Sequence, residues 1–118
     1  MKIDNIIVDK SRNFAVRIIR LYQYLCREKK EYILSKQILR SGTSIGANVK
    51  EAIRGQSNAD FIAKMNIALK EASETEYWLD LLLEAEYLSK VQFDSLNTDN
   101  TELIKILTSI IKTSNKNK

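Results

Sequence analysis

Residues 38–53 read ILRSGTSIGANVKEAI, and the fold turns on whether this stretch is loop or helix. Its middle, Ser41-Gly42-Thr43-Ser44, has the composition of a turn. Its apolar spacing says otherwise. Ile38, Gly42, Ile45, Val49 and Ala52 recur at steps of four, three, four and three, which lines one face of an α-helix. Leu39, Gly46 and Ile53 lie beside that face. The phase passes through both glycines unbroken, so one helix is expected from about Glu31 to Gln56. A glycine inside a helix costs about 1 kcal/mol relative to alanine. Close approach of a neighbouring helix at Gly42 and Gly46 is the expected compensation.

The flanks carry the same periodicity. Upstream, Phe14, Ile18, Leu21 and Leu25 place a first helix over roughly Ser11–Lys29, with Asp9 or Ser11 as its cap and the charged run Arg27–Glu31 as a turn. Downstream, Gly55-Gln56-Ser57-Asn58 stops the second helix, and Ser57 or Asn58 caps the next. The third, about Asn58–Glu86, keeps a heptad-like rhythm through Phe61, Met65, Ala68, Ala72, Thr75, Leu79 and Leu82. A second stripe runs along Ile67, Trp78, Leu81 and Ala85, with Glu74 beside it. One intramolecular core needs only one apolar face, so Ile67, Glu74, Trp78, Leu81 and Ala85 are the expected oligomer interface. Tyr87–Lys90 is a short connection. A fourth helix begins near Val91, is expected to break around Asn97–Asn100, and resumes through Leu103, Ile106, Leu107, Ile110 and Ile111. Four such helices with short links predict an all-α fold, an antiparallel up-down-up-down four-helix bundle. Residues 1–118 form one domain in this reading, with 1–10 and 113–118 loosely ordered.

Composition supports the fold and narrows the chemistry. The 118 residues contain no proline and three glycines, as an all-helical chain should. Hydrophobic residues at 44% and charged residues at 29% describe a globular rather than a disordered chain. No histidine is present, which removes Ser-His-Asp and Cys-His nucleophiles and every histidine metal site. The single cysteine, Cys26, excludes an internal disulfide. Carboxylates on the third helix, among them Glu71, Glu74, Glu84 and the pair Glu76/Asp80, lack the Glu-x-x-His partners of a two-metal bundle site. No catalytic residue, metal or cofactor is therefore expected. The longest apolar runs are far too short to span a bilayer, and the opening residues lack the apolar stretch of a signal peptide. A cytoplasmic protein with no membrane partner is the expectation.

Charge is uneven along the chain. Residues 1–56 hold 12 Lys and Arg against 5 Asp and Glu, a net of +7; residues 57–90 hold 3 against 7, a net of −4. On helical wheels, Arg17, Arg20 and Arg27 share an arc with Asn13 and Tyr24, and Lys36, Arg40, Lys50 and Arg54 form a stripe with Thr43. Cations beside an aromatic suit a phosphate backbone. Arg17, Arg20, Arg27, Lys36, Lys50 and Arg54 are thus the candidate nucleic-acid contacts. The competing expectation is a solvated face, or cations paired with Glu51 and the acids of helix three; Glu71 or Glu74 would then face Arg40 or Arg54.

The run SKQILRSGTSIGANVKEA (35–52), then DFIAK (60–64), IALKEA (67–72) and ETEYWL (74–79), resembles the four-helix-bundle proteins encoded in intervening sequences of bacterial 23S ribosomal RNA genes, an S23 ribosomal-like family. The resemblance covers about residues 11–112. It implies an antiparallel four-helix bundle, a homopentamer around a central channel, and no established enzymatic activity. It also implies a structural role for Arg40, Gly42, Gly46, Asn48, Glu51 and Glu71: small residues for close packing, polar ones for a network between helices. Accessory proteins of diversity-generating retroelements are distantly similar and bind nucleic acid through a basic surface. The resulting expectation is a non-enzymatic oligomeric bundle that contacts RNA or DNA as an accessory factor. The alternative is an oligomeric scaffold for a protein partner with no nucleic-acid role.

Overall fold

A computed structural model describes residues 2–116 and contains four helices: α1 (Lys2–Glu28), α2 (Leu34–Ile53), α3 (Asn58–Glu84) and α4 (Lys90–Lys116). Helices of 27 residues are about 40 Å long at 1.5 Å per residue, which matches the 47 × 21 × 19 Å extents. Each helix packs on its chain neighbours, and α1 closes the ring against α4. The cross-helix pairs run in opposite order along each partner. Gly42 meets Ile18 while Gly46 meets Ser11. Arg40 meets Glu71 while Glu51 meets Lys64. Lys10 meets Glu102 while Arg17 meets Asp99. These contacts fit the up-down-up-down order.

The expected core stripes are buried: Phe14, Ile18 and Leu25 of α1 and Ile38, Ile45 and Val49 of α2 lie inside. On α3 the stripe is buried from Met65 to Leu82, and Phe61 at its start is half-buried; on α4 the core residues include Leu103, Leu107 and Ile110.

Two expectations are corrected. Helix α1 starts at Lys2, not Ser11, so residues 2–10 are helical. Ile7 sits one heptad before Phe14 and is fully buried. Ser11 is buried mid-helix and donates to the Val8 carbonyl at 3.2 Å, so it is not a cap. Residues 113–116 belong to α4; residues 1, 117 and 118 of the two loose ends lie outside the described residues. The second correction is that α4 runs unbroken through Asn97–Asn100. Leu96, Asn100, Leu103 and Leu107 keep the four-three-four step, and buried Asn100 donates to the Ala72 carbonyl at 2.9 Å, tying α4 to α3.

The links are fixed by caps at the helix ends. Glu31 caps α2 with its carboxylate, a role its place in a charged run did not reveal. The Ser57 hydroxyl accepts the Asp60 N–H at 3.1 Å at the start of α3. Helix α3 ends with Glu86 left-handed at φ 67, its N–H bonded to the Leu83 carbonyl and the Tyr87 N–H to the Leu82 carbonyl, the paired bonds of a Schellman stop. Ser89 and Gln92 then form a reciprocal capping box on α4.

Candidate nucleic-acid interface

The α1–α2 contact sets the spacing of the candidate surface. A Cβ built on Gly42 would stand 2.7 Å from Ile18 Cγ1, so the Ile18 side chain occupies the space that a larger residue at 42 would need. At Gly46 the nearest atoms are the carbonyl oxygen and Oγ of Ser11, both at 3.4 Å. Beyond Gly46 the small side chains leave an open groove of about 570 Å³. Arg12 of α1 forms one bank; Lys50 of α2 and Arg54, the C-cap of that helix, form the other. Val8, Ala15, Ala47 and Ile53 supply its apolar surface. All three cations are exposed, and among the described residues none makes an ion pair with a carboxylate. Around Lys50 and Arg54 the groove continues into a hollow of about 720 Å³ bordered by α3.

The other candidate cations are distributed differently. Arg17 donates to Asp99 at 2.7 Å and to the Ser95 carbonyl and hydroxyl at 3.2 and 2.8 Å, so it ties α1 to α4. Arg20 is exposed over the α1–α4 groove, and Arg27 is exposed near the end of α1. Lys36 is exposed 14 residues before Lys50, about 21 Å away along α2. The structure therefore brings Lys50 and Arg54 together, adds Arg12, and separates Arg17, Arg20 and Arg27 from them. Sequence reasoning missed Arg12, whose place on the groove follows from the contact of its neighbour Ser11 with Gly46 of another helix.

A polar seam joins α2 to α3. Arg40 pairs with Glu71 at 3.3 Å and with Glu74, and Glu74 also accepts the Trp78 indole N–H at 3.0 Å. The guanidinium and the indole hold the Glu74 carboxyl below the usual carboxylate range. The Arg40 side chain is 51% exposed, so solvent screens much of this pairing. Below it, Thr75 donates to Ser41 at 2.9 Å in the buried interface, and Lys64 pairs with Glu51 at 3.0 Å. Asn48 stays within its own helix, donating to the Ser44 carbonyl at 2.8 Å. The expected pairing of Glu71 or Glu74 with an arginine is thus made by Arg40, while Arg54 is left for the groove.

The second stripe of α3 runs beside this seam. Trp78 packs partly on the core, Leu81 is half-buried, and Ile67 and Ala85 are exposed. Glu76 and Asp80 face a separate groove with Tyr77, Phe93 and Asn97, between α3 and α4. The carboxylates of Glu76 and Asp80 on α3 therefore lie on a different groove from Arg12, Lys50 and Arg54, while the acids of α4, Asp94, Asp99 and Glu102, are all paired. The described residues contain no cluster of three potential metal ligands, and no described helix is long and apolar enough to cross a membrane.

No curated protein matches the chain. The crystal structure of a protein of unknown function from the S23 ribosomal protein family of Bacteroides thetaiotaomicron is similar. That protein is 62% identical, superposes with a TM-score of 0.93, and the match covers 93% of this chain and 98% of that one. A family model described as 23S rRNA-intervening sequence protein matches residues 3–109, nearly all of the four helices. The close-packing glycines, the Arg40–Glu71 seam and the four-helix core all lie inside that span, and the chain belongs to the 23S rRNA-intervening sequence protein family.

Proposed function

We propose that the protein is a non-enzymatic, oligomeric accessory factor that holds RNA or DNA by its phosphate backbone. The observation that carries this reading is the convergence of Arg12, Lys50 and Arg54 on one open groove, exposed and without carboxylate partners among the described residues. A cation already neutralised in a salt bridge gains little from a phosphate, whereas free ones release counterions when they bind. The groove presents no base-reading array, so binding is expected to be weakly sequence-dependent. Oligomerisation through Ile67, Trp78, Leu81 and Ala85 would repeat the groove and multiply weak contacts.

The test is fluorescence anisotropy with labelled duplex DNA, structured RNA and single strands, titrated from about 50 to 200 mM salt. Binding is expected at the low end and should fall steeply with salt. Lys50→Gln with Arg54→Gln should cost about tenfold or more and make the salt slope shallower by about two, one for each lost phosphate contact. Absence of binding at the lowest salt would defeat the reading and leave a scaffold for a protein partner.

Assembly is tested separately. Leu81→Glu places a charge on the second stripe without removing a buried core residue. Light scattering should then show a mass reduced to that of one chain. An unchanged wild-type assembly would remove α3 from the interface.

A further inference from the structure

The proposed phosphate contact leaves open how a nucleic acid lies on the protein. We propose that the α1–α2 groove is a slot for a single phosphodiester strand, with sugars against its apolar floor, phosphates on Arg12, Lys50 and Arg54, and bases turned outward. This rests on the proposed function and specifies the part of the nucleic acid that is held.

Three features support the slot. Its banks are the adjacent packed helices α1 and α2, so a strand lying along it meets α1 on one side and α2 on the other. Lys50 lies in the last turn of α2 and Arg54 is its C-cap, four residues or about 6 Å farther along the axis, with Arg12 on the α1 bank. Cations on both banks can therefore grip one strand from two sides. The floor is open because Ala15, Gly46 and Ala47 are small, and Val8 and Ile53 make it apolar. A floor of that kind suits the carbon face of a sugar. The lining contains no aromatic residue, so it provides no platform on which a base could stack.

The slot makes a prediction that diffuse surface charge does not: filling the floor should abolish binding while every charge is kept. Ala47 lines the groove and is exposed, so Ala47→Leu enlarges the floor residue without disturbing the core. Ala63→Leu, on an exposed site of α3 outside the groove, is the control. The probes are fluorescein-labelled oligothymidylate of about 12 nucleotides and an abasic strand of the same length, a size within the range of single-strand sites. The abasic strand should bind within about threefold of the thymidylate, because the bases are not held. Ala47→Leu should weaken both by about tenfold, and Ala63→Leu neither, with circular dichroism confirming unchanged helix content. If Ala47→Leu binds normally while Lys50→Gln with Arg54→Gln does not, the slot is wrong and the phosphate reading stands. A loss of more than about thirtyfold on removing the bases also overturns the slot. If the wild-type protein binds neither strand nor duplex, both readings fall together.

Discussion

Replacing Glu31 with alanine is expected to lower the unfolding free energy by about 2–3 kcal/mol. The carboxylate sits at the start of α2 with only 9% of the residue exposed. One oxygen accepts the N–H groups of Ile33 and Leu34 at 3.2 and 3.0 Å, and the other accepts the N–H of Ser35 at 2.7 Å. A helix leaves its first N–H groups unpaired, and a negative charge there also meets the positive end of the helix dipole. Charge-assisted bonds of this kind each contribute about 1.5–3 kcal/mol, but the three share one carboxylate and water replaces part of what is lost. The Glu31 N–H donates to the Leu25 carbonyl at 3.0 Å, so the same residue also closes α1. Thermal unfolding followed by circular dichroism should show a Tm lower by about 10 °C. A drop of less than about 2 °C would mean that solvent replaces the carboxylate fully.

The second large effect is a change of sign between two like substitutions. Gly42→Ala is expected to destabilise by about 1–2 kcal/mol, while Gly46→Ala is expected to be neutral or to stabilise by up to about 1 kcal/mol. At Gly42 the new methyl would lie 2.7 and 2.8 Å from the two γ-carbons of Ile18. Those atoms belong to a β-branched residue with little rotamer freedom in a helix, so α1 and α2 must move apart. Overpacking costs more here than the helix gains from alanine. At Gly46 the nearest contact is 3.4 Å, ordinary van der Waals distance, and the propensity gain remains. Chemical denaturation of both variants decides the matter. Equal losses at the two positions would show that an added methyl is accommodated no better beside Ser11 than beside Ile18.

Helix identity was legible because it is local. The phase of Ile38, Ile45 and Val49 carried α2 through Gly42 and Gly46 against a turn-like composition, and the structure keeps that helix. The same rule would have extended α4 through Asn97–Asn100, since Asn100 occupies the buried step between Leu96 and Leu103. Composition misled there because asparagine favours turns only while its side chain competes for local backbone, and Asn100 spends its amide on Ala72 of another helix. Ser11 misled in the same way, reading as a cap although it is the small buried residue against Gly46.

By itself the sequence determined four amphipathic helices, their order, their core faces and the concentration of positive charge in residues 1–56. The tertiary structure alone decided which charges are free. Arg17 and Arg12 look alike along the chain, yet Arg17 meets Asp99 and Ser95 while Arg12 stands on the groove facing Lys50. Periodicity is a property of neighbours a few residues apart, which the backbone repeat enforces. An ion pair depends on which helix, some eighty residues away in the chain, comes to lie alongside.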